Sequence, residues 1–183
     1  MSETFINKVI TKAGDSGNTN LVYKDVHKSE PIIECIGCID EANASIGMAR
    51  HLLDAALVEF TETLDEVQSN LFDLAADLIC GSEKINDQYI DKIERIAAEI
   101  NTKLVPLQSF VLPKGPAAVM HVARATVRRA ERAFWAYTKV LDGVAMGAEV
   151  NTLPGIYLNR LSDLLFIICR SISDKEEQWV RLK

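Results

Sequence analysis

The sequence has no stretch apolar enough to cross a bilayer. Its most apolar run, LSDLLFIIC, falls well short of the ~20 residues that a helical span requires. The opening residues, MSETFINKVITKAGDSG, have no apolar run behind a basic start, so no secretory leader is expected. Positive charge is not in excess either. Twenty Lys and Arg against 26 Asp and Glu leave a net charge of −6, which argues against nucleic acid as the main partner. Histidine is scarce, and His27, His51 and His121 are scattered. Of the four cysteines, Cys35 and Cys38 form a lone C-x-x-C. That spacing suits a redox pair or half a zinc site, but no second pair completes such a site, and no βαβ pattern surrounds it. The simpler reading is two small buried hydrophobes inside a helix. There is no internal repeat and no low-complexity tract. These absences leave a soluble, cytoplasmic protein of one domain, residues 1–183, with neither a membrane nor a nucleic-acid partner.

What is present is helical periodicity. Residues 1–29 are rich in Gly, Asn, Asp, Thr and Lys and have no helical period, so they read as a loop or short extended segment. Five helical stretches follow. The first runs from about Pro31, a residue suited to a first turn, to Leu53, with Ile32, Ile36, Ile39, Asn43 and Ile46 near one stripe. The second spans about Leu57 to Cys80, with Gly81 as its stop. The third spans about Asp87 to Thr102. The loop LVPLQSFVLPKG leads to a fourth, from about Pro116 to Leu141, where Gly143 and Gly147 break the pattern. The fifth covers about Pro154 to Ser171, and the charged tail DKEEQWVRLK extends it or hangs free. No strand of any length is expected. Long helices with short connections predict an all-α, up-and-down five-helix bundle preceded by a glycine- and threonine-rich segment.

The fourth helix carries the most pointed chemistry. In HVARATVRRAER, Arg124, Arg128 and Arg132 recur at every fourth position, with Glu131 beside them and Arg129 directed away. Like charges so spaced repel by a few tenths of a kcal/mol per pair. A solvated basic face is one reading. A cradle for a small anion is the other, since guanidinium grips phosphate oxygens bidentately. The first helix interrupts its apolar run with Asp40, which would need a partner if buried, and an arginine of the fourth helix is the candidate. The fifth helix carries a polar group of Asn159, Arg160, Ser162 and Asp163. Near the N-terminus, TKAGDSGNTNL combines glycines, threonines, Lys12 and Asp15 without Walker A spacing. Such loops let backbone N–H groups approach phosphate.

Together these segments resemble the PduO-type ATP:cob(I)alamin adenosyltransferases. Thr11 to Leu21 are similar to that family's T-R-x-G-D-x-G-x-T-x-L loop, with Lys12 in the arginine position. KSEPIIECIGCIDEAN resembles a lysine followed by E-A-x-G-x-x-D-E-L-N, at Lys28, Glu34, Gly37, Asp40, Glu41 and Asn43. VQSNLFDLAADL and FVLPKG look like the second-helix segment and the F-V-L-P-G-G loop. HVARATVRRAER and YLNRLSDLLFIICR are close to the two most specific motifs, and the matches run in order across most of residues 11–170.

The resemblance implies a five-helix bundle, usually a homotrimer with ATP between subunits. It implies transfer of the 5′-deoxyadenosyl group of ATP to cob(I)alamin, with release of triphosphate and Mg²⁺ as cofactor. Residue by residue, Arg128 and Asp40 match an interface ion pair, and Arg132 a phosphate-contacting arginine. Glu131 and Asn159 match residues near the nucleotide. Thr11, Lys12, Gly14, Asp15, Gly17 and Lys28 match the nucleotide-binding segment within residues 1–29. Phe110 matches the aromatic residue that presses on the lower corrin face, helping to expel the axial base and give four-coordinate cobalt. A corrinoid reductase or an adenosylcobalamin-dependent acceptor enzyme is the implied protein partner. The loop after Phe110 is shorter than the family pattern, with Lys114 where a second glycine is common, and Ala13 replaces a more polar residue. The shortened loop suits an alternative, a non-catalytic ATP- or corrinoid-binding sensor or delivery module on the same scaffold.

Overall fold

The computed structural model describes residues 9–22, 24–144, 150–173 and 175–180. Five helices make up most of it: α1 (Pro31–Leu52), α2 (Thr61–Cys80), α3 (Asp87–Asn101), α4 (Ala118–Val144) and α5 (Leu153–Ser171). The chain turns between α1 and α2 through two short 3₁₀ turns, Asp54–Ala56 and Val58–Phe60. α2 therefore begins four residues later than its apolar pattern suggests. α4 continues through Gly143 to Val144, so that glycine does not end the helix, while Gly147 lies outside the described residues.

A small antiparallel hairpin, β1 (Asn18–Leu21) with β2 (Lys24–His27), precedes the bundle, where no strand is expected from sequence. Its strands are four residues long and mostly exposed, so they carry no apolar alternation to read. A cross-strand bond from Asn20 Nδ2 to Asp25 Oδ1 (2.7 Å) supports the register, and Leu21 is its one buried side chain.

Side-chain links fix how the helices run. Asn43 of α1 donates to the Gln68 carbonyl of α2, and Gln68 Nε2 donates back to Asn43 Oδ1, both at 2.9 Å. Arg50 pairs with Asp65 one turn of α2 earlier, so α1 and α2 are antiparallel. Arg129 of α4 pairs with Glu41 of α1, and the Arg132 charge reaches Cys38 one turn back along α1. α4 thus runs antiparallel to α1. Glu131 of α4 meets Asn159 of α5, and Arg124, two turns back along α4, meets Phe166, two turns on along α5, so α5 reverses α4 again. The two helices approach closely at Gly155. A Cβ built there would lie 2.6 Å from Phe134 Cδ1 and 2.8 Å from Trp135 Cζ2. The core between the helices is continuous, with Ile39, Ile46, Leu64, Leu71, Leu74, Met120, Val127, Phe134, Leu158, Leu161 and Leu165 wholly or almost wholly buried.

The described part of the tail, residues 175–180, neither extends α5 nor hangs free. Residues 177–179 turn back against the loop before α4 and pair antiparallel with it at Val111 and Gln178.

Candidate functional site

The glycine- and threonine-rich segment forms two tight turns and then the hairpin. The Asp15 N–H donates to the Lys12 carbonyl (3.3 Å) and the Gly17 N–H to that of Gly14 (3.2 Å). Lys12 holds a left-handed φ of +62°, a conformation that side chains other than glycine adopt at a cost of ~1 kcal/mol or more. Gly17, at φ +83°, meets the same demand without a Cβ. The Lys28 N–H donates to the Gly17 carbonyl (2.8 Å), and its Nζ donates to the Gly14 carbonyl (2.8 Å). A Cβ on Gly14 would sit 2.7 Å from that Nζ, so glycine is what allows the lysine to close over the turn. Thr11, Lys12, Gly14, Asp15, Gly17 and Lys28 are thereby brought together, with Thr11, Lys12, Asp15 and Lys28 exposed.

The arginine face differs from its sequence pattern in two ways. Arg124 leaves the stripe. It is half-buried in the α4–α5 seam, with Cζ 5.7 Å from the centre of the Phe166 ring and no hydrogen-bond partner for its buried Nε. Arg129 does not point away but faces α1 and pairs with Glu41. Helix twist explains both, since α4 packs on α1 and α5 at once, and residues on either flank of the stripe are drawn into a seam. Arg128 and Arg132 remain exposed, and among the described residues neither joins an ion pair. Arg132 Nη1 donates to the Arg128 carbonyl (3.0 Å), which draws the two guanidinium-bearing chains along one face. Asp40 is likewise exposed and makes no pair with Arg128 within the chain. Beside it, Ile33, Ile36, Leu71, Phe72 and Ile79 line an apolar groove of about 380 Å³ between α1 and α2.

Glu131 and Asn159 meet as their motifs suggest: Asn159 Nδ2 donates to Glu131 Oε1 at 3.1 Å. Arg160 extends the chain of contacts, with Nη1 donating to Asn159 Oδ1 (2.8 Å) and Nε to Glu94 of α3 (2.5 Å). One acceptor and one donor of the asparagine are thus engaged, and its amide orientation is set from both sides.

Phe110 is elsewhere. It lies on the loop before α4, beside the tail, with its side chain 79% exposed. Because α4 is antiparallel to α1, that loop sits at the C-terminal end of α1, whereas the Thr11–Lys28 segment joins its N-terminal end. The 22 residues of α1 separate the two ends by roughly 33 Å. The glycine loop and the Phe110 loop are therefore tied to opposite ends of α1.

The other sequence candidates are inert. Cys35, Cys38 and Cys169 are buried free thiols, and burial first, then the neighbouring Cys38 and Glu34, pushes the Cys35 thiol up to about 12. Such thiols stay protonated and unreactive near neutrality. Among the described residues, no group of three or more His, Cys, Asp or Glu side chains could hold a metal ion, and no helix is long and apolar enough to cross a membrane. His121 is buried, with no partner for Nδ1, and burial followed by the Arg124 charge lowers its pKa. Sequence reading did not single out Trp179, which stands against Phe110 and lies outside any periodic element.

The cobalamin adenosyltransferase family model matches residues 9–172. A corrinoid adenosyltransferase of Mycobacterium tuberculosis is 41% identical over 176 residues, covering 90% of this chain and 88% of its own. The fold superposes on PduO-type ATP:corrinoid adenosyltransferase structures from Lactobacillus reuteri. A variant complexed with ATP gives a TM-score of 0.76 at 29% identity, over 88% of this chain and 92% of that one. A variant complexed with cobalamin and ATP gives 0.81 at 25% identity, over 95% and 100%. The chain belongs to the cobalamin adenosyltransferase family.

Proposed function

We propose that this protein transfers the 5′-deoxyadenosyl group of ATP to cob(I)alamin, giving adenosylcobalamin and triphosphate, at sites shared between two copies of the chain. In that reaction the cobalt electron pair forms the bond to C5′, the C5′–oxygen bond breaks, and triphosphate leaves with the bonding electrons. Cob(I)alamin is itself a strong nucleophile, so the protein supplies no attacking group. Its residues position C5′ and receive the charge of the leaving group.

The observation that carries the reading is the exposed arginine pair, Arg128 and Arg132, without an ion-pair partner among the described residues, on a helix beside the Glu131–Asn159 contact. Arg132 contacts the triphosphate, and Asn159 orients the nucleotide from an amide held by Glu131 and Arg160. The turns from Thr11 to Gly17 offer backbone N–H groups and the Thr11 hydroxyl to phosphate oxygens, with Lys12 and Lys28 adding charge. Phe110 offers its exposed ring to the corrin. Relatives named corrinoid adenosyltransferases, and neighbours holding both cobalamin and ATP, support the choice of substrates.

The separation of Phe110 from the glycine loop supports an intersubunit site. So do the exposed positions of Asp40 and Arg128, which can pair across an interface seated on the apolar groove beside Asp40. The assembly that fits is a homotrimer. Residues 1–183 then act as one domain, with 1–29 as its nucleotide segment, in the cytoplasm. Mg²⁺ fits as an ion carried in by the phosphates, since among the described residues no cluster of three or more carboxylate, His or Cys side chains could hold it; when bound, it supplies neutralisation of phosphate charge. A corrinoid reductase upstream, or an acceptor enzyme downstream, completes the set of partners.

Anaerobic mixing of the protein with MgATP and chemically reduced cob(I)alamin tests the reading. ATP-dependent conversion to a light-sensitive alkylcobalamin, with one triphosphate per turnover, is the expected result. Persistence of cob(I)alamin beside bound ATP would instead select the sensor or delivery reading.

A further inference from the structure

We propose that Trp179, in the C-terminal tail, is a positioning residue for Phe110 and through it a determinant of corrinoid binding. The inference rests on the reading of Phe110 as the corrin-facing aromatic.

The loop containing Phe110 forms no helix of its own, and most of its residues are exposed. The tail supplies the missing order. The Trp179 N–H donates to the Phe110 carbonyl (2.7 Å), Ser109 Oγ donates to the Trp179 carbonyl (2.7 Å), and the Leu112 N–H donates to the Glu177 carbonyl (2.8 Å). With Val111 opposite Gln178, Phe110 falls opposite Trp179 in the antiparallel register, so both side chains rise on the same side. Their ring centres are 6.4 Å apart at an interplanar angle of 60°. Among the described residues, no other aromatic ring packs on Phe110. The indole, itself 46% exposed, therefore walls one flank of the Phe110 ring and leaves the rest open.

The tail is anchored firmly enough for this work. Arg170, at the end of α5 and only 6% exposed, donates from Nε to Glu176 (2.6 Å) and from Nη2 to the Val105 carbonyl (2.6 Å). One buried guanidinium thus ties together α5, the start of the loop and the root of the tail. Lys114 pairs with Glu177. This lysine stands where the family pattern has glycine, so the same change that sets this loop apart provides a clamp for the tail.

The test compares Trp179→Ala, Trp179→Phe and Phe110→Ala with the unmodified protein. Three quantities are read: the KM for cob(I)alamin, the KM for ATP, and the fraction of bound cob(II)alamin showing the four-coordinate EPR signature in the presence of MgATP. Trp179→Ala should raise the corrinoid KM about three- to tenfold, the range of an aromatic pair, and lower the four-coordinate fraction. The ATP KM should stay unchanged, and Trp179→Phe should recover most of both effects. An unchanged corrinoid KM and EPR signature in Trp179→Ala would overturn the proposal. So would a matching loss of ATP affinity, which would mark a merely structural residue. If Phe110→Ala leaves the corrinoid KM and the signature unmoved, the reading of Phe110 fails and the proposal falls with it; if Phe110→Ala moves both and Trp179→Ala moves neither, the proposal alone fails.

Discussion

Gly155→Ala adds one methyl group where α5 packs directly on two rings of α4. Its Cβ would stand 2.6 and 2.7 Å from two ring carbons of Phe134 and 2.8 Å from Trp135 Cζ2. Phe134 is 1% exposed and part of the core, so its ring cannot swing into solvent. The helix axes must separate by several tenths of an ångström, or the rings must leave their preferred rotamers. Overpacking of this kind costs about 1–3 kcal/mol, while exchanging glycine for alanine in a helix returns at most ~1 kcal/mol. Three ring contacts under 3 Å put the cost in the upper part of that range, about 2–3 kcal/mol, so the net loss is about 1–2 kcal/mol. For a chain of this length that is a fall in Tm of roughly 2–8 °C, read by thermal melts at one fixed protein concentration. Asn159 lies one turn along α5 from Gly155, so the displaced helix also shifts the Asn159–Glu131 contact, and the ATP KM should rise. Adding Phe134→Leu removes the ring that the methyl group strikes, and the double variant should recover more than the two single losses would allow if they summed. A Gly155→Ala melt at or above that of the parent would refute the packing argument.

Arg132→Ala should fold with an unchanged melt, because its exposed guanidinium bonds only one backbone carbonyl, yet lose kcat by about 10²–10³-fold in the anaerobic assay. His121 is buried and its pKa is lowered, so the folded state binds its proton less readily than the unfolded chain does. Stability is then full above the ordinary histidine pKa of 6.5 and declines as pH falls below it. A His121→Gln variant should lose less Tm than the parent between pH 7.5 and 5.5. Asp77 is buried and accepts from Ser82 Oγ (2.6 Å) and from the backbone N–H groups of Lys84 (3.1 Å) and Ile85 (2.9 Å). Asp77→Ala strands those donors at the α2–α3 turn and should cost about 2–3 kcal/mol by chemical denaturation, with Asp77→Asn milder.

The helices were legible because long amphipathic patterns with proline starts and a glycine stop survive tertiary packing. α1, α3 and α5 begin and end within a residue or two of where periodicity places them. The β hairpin was not legible, since eight residues, six of them polar and most of them exposed, ordered by backbone pairing leave no apolar signature. The arginine stripe was half legible. Spacing places Arg124, Arg128 and Arg132 on one side of a helix, but which of them a neighbour captures depends on Phe166 and Glu41, residues distant in sequence. Asn159 and Glu131 do meet as their motifs imply. The tail was illegible for the same reason as the hairpin. Its order comes from main-chain bonds to a loop about 70 residues earlier, and nothing in DKEEQWVRLK announces them.

The central claim is that one active site takes its nucleotide loop and its corrin-facing aromatic from different copies of the chain. Lys28→Ala and Phe110→Ala are each expected to be nearly inactive. Co-assembled in equal amounts, they should regain roughly a quarter of the parent's adenosyltransferase activity, because that share of the interfaces in a cyclic assembly pairs two intact surfaces. A mixed assembly no more active than the two variants measured apart would contradict the account.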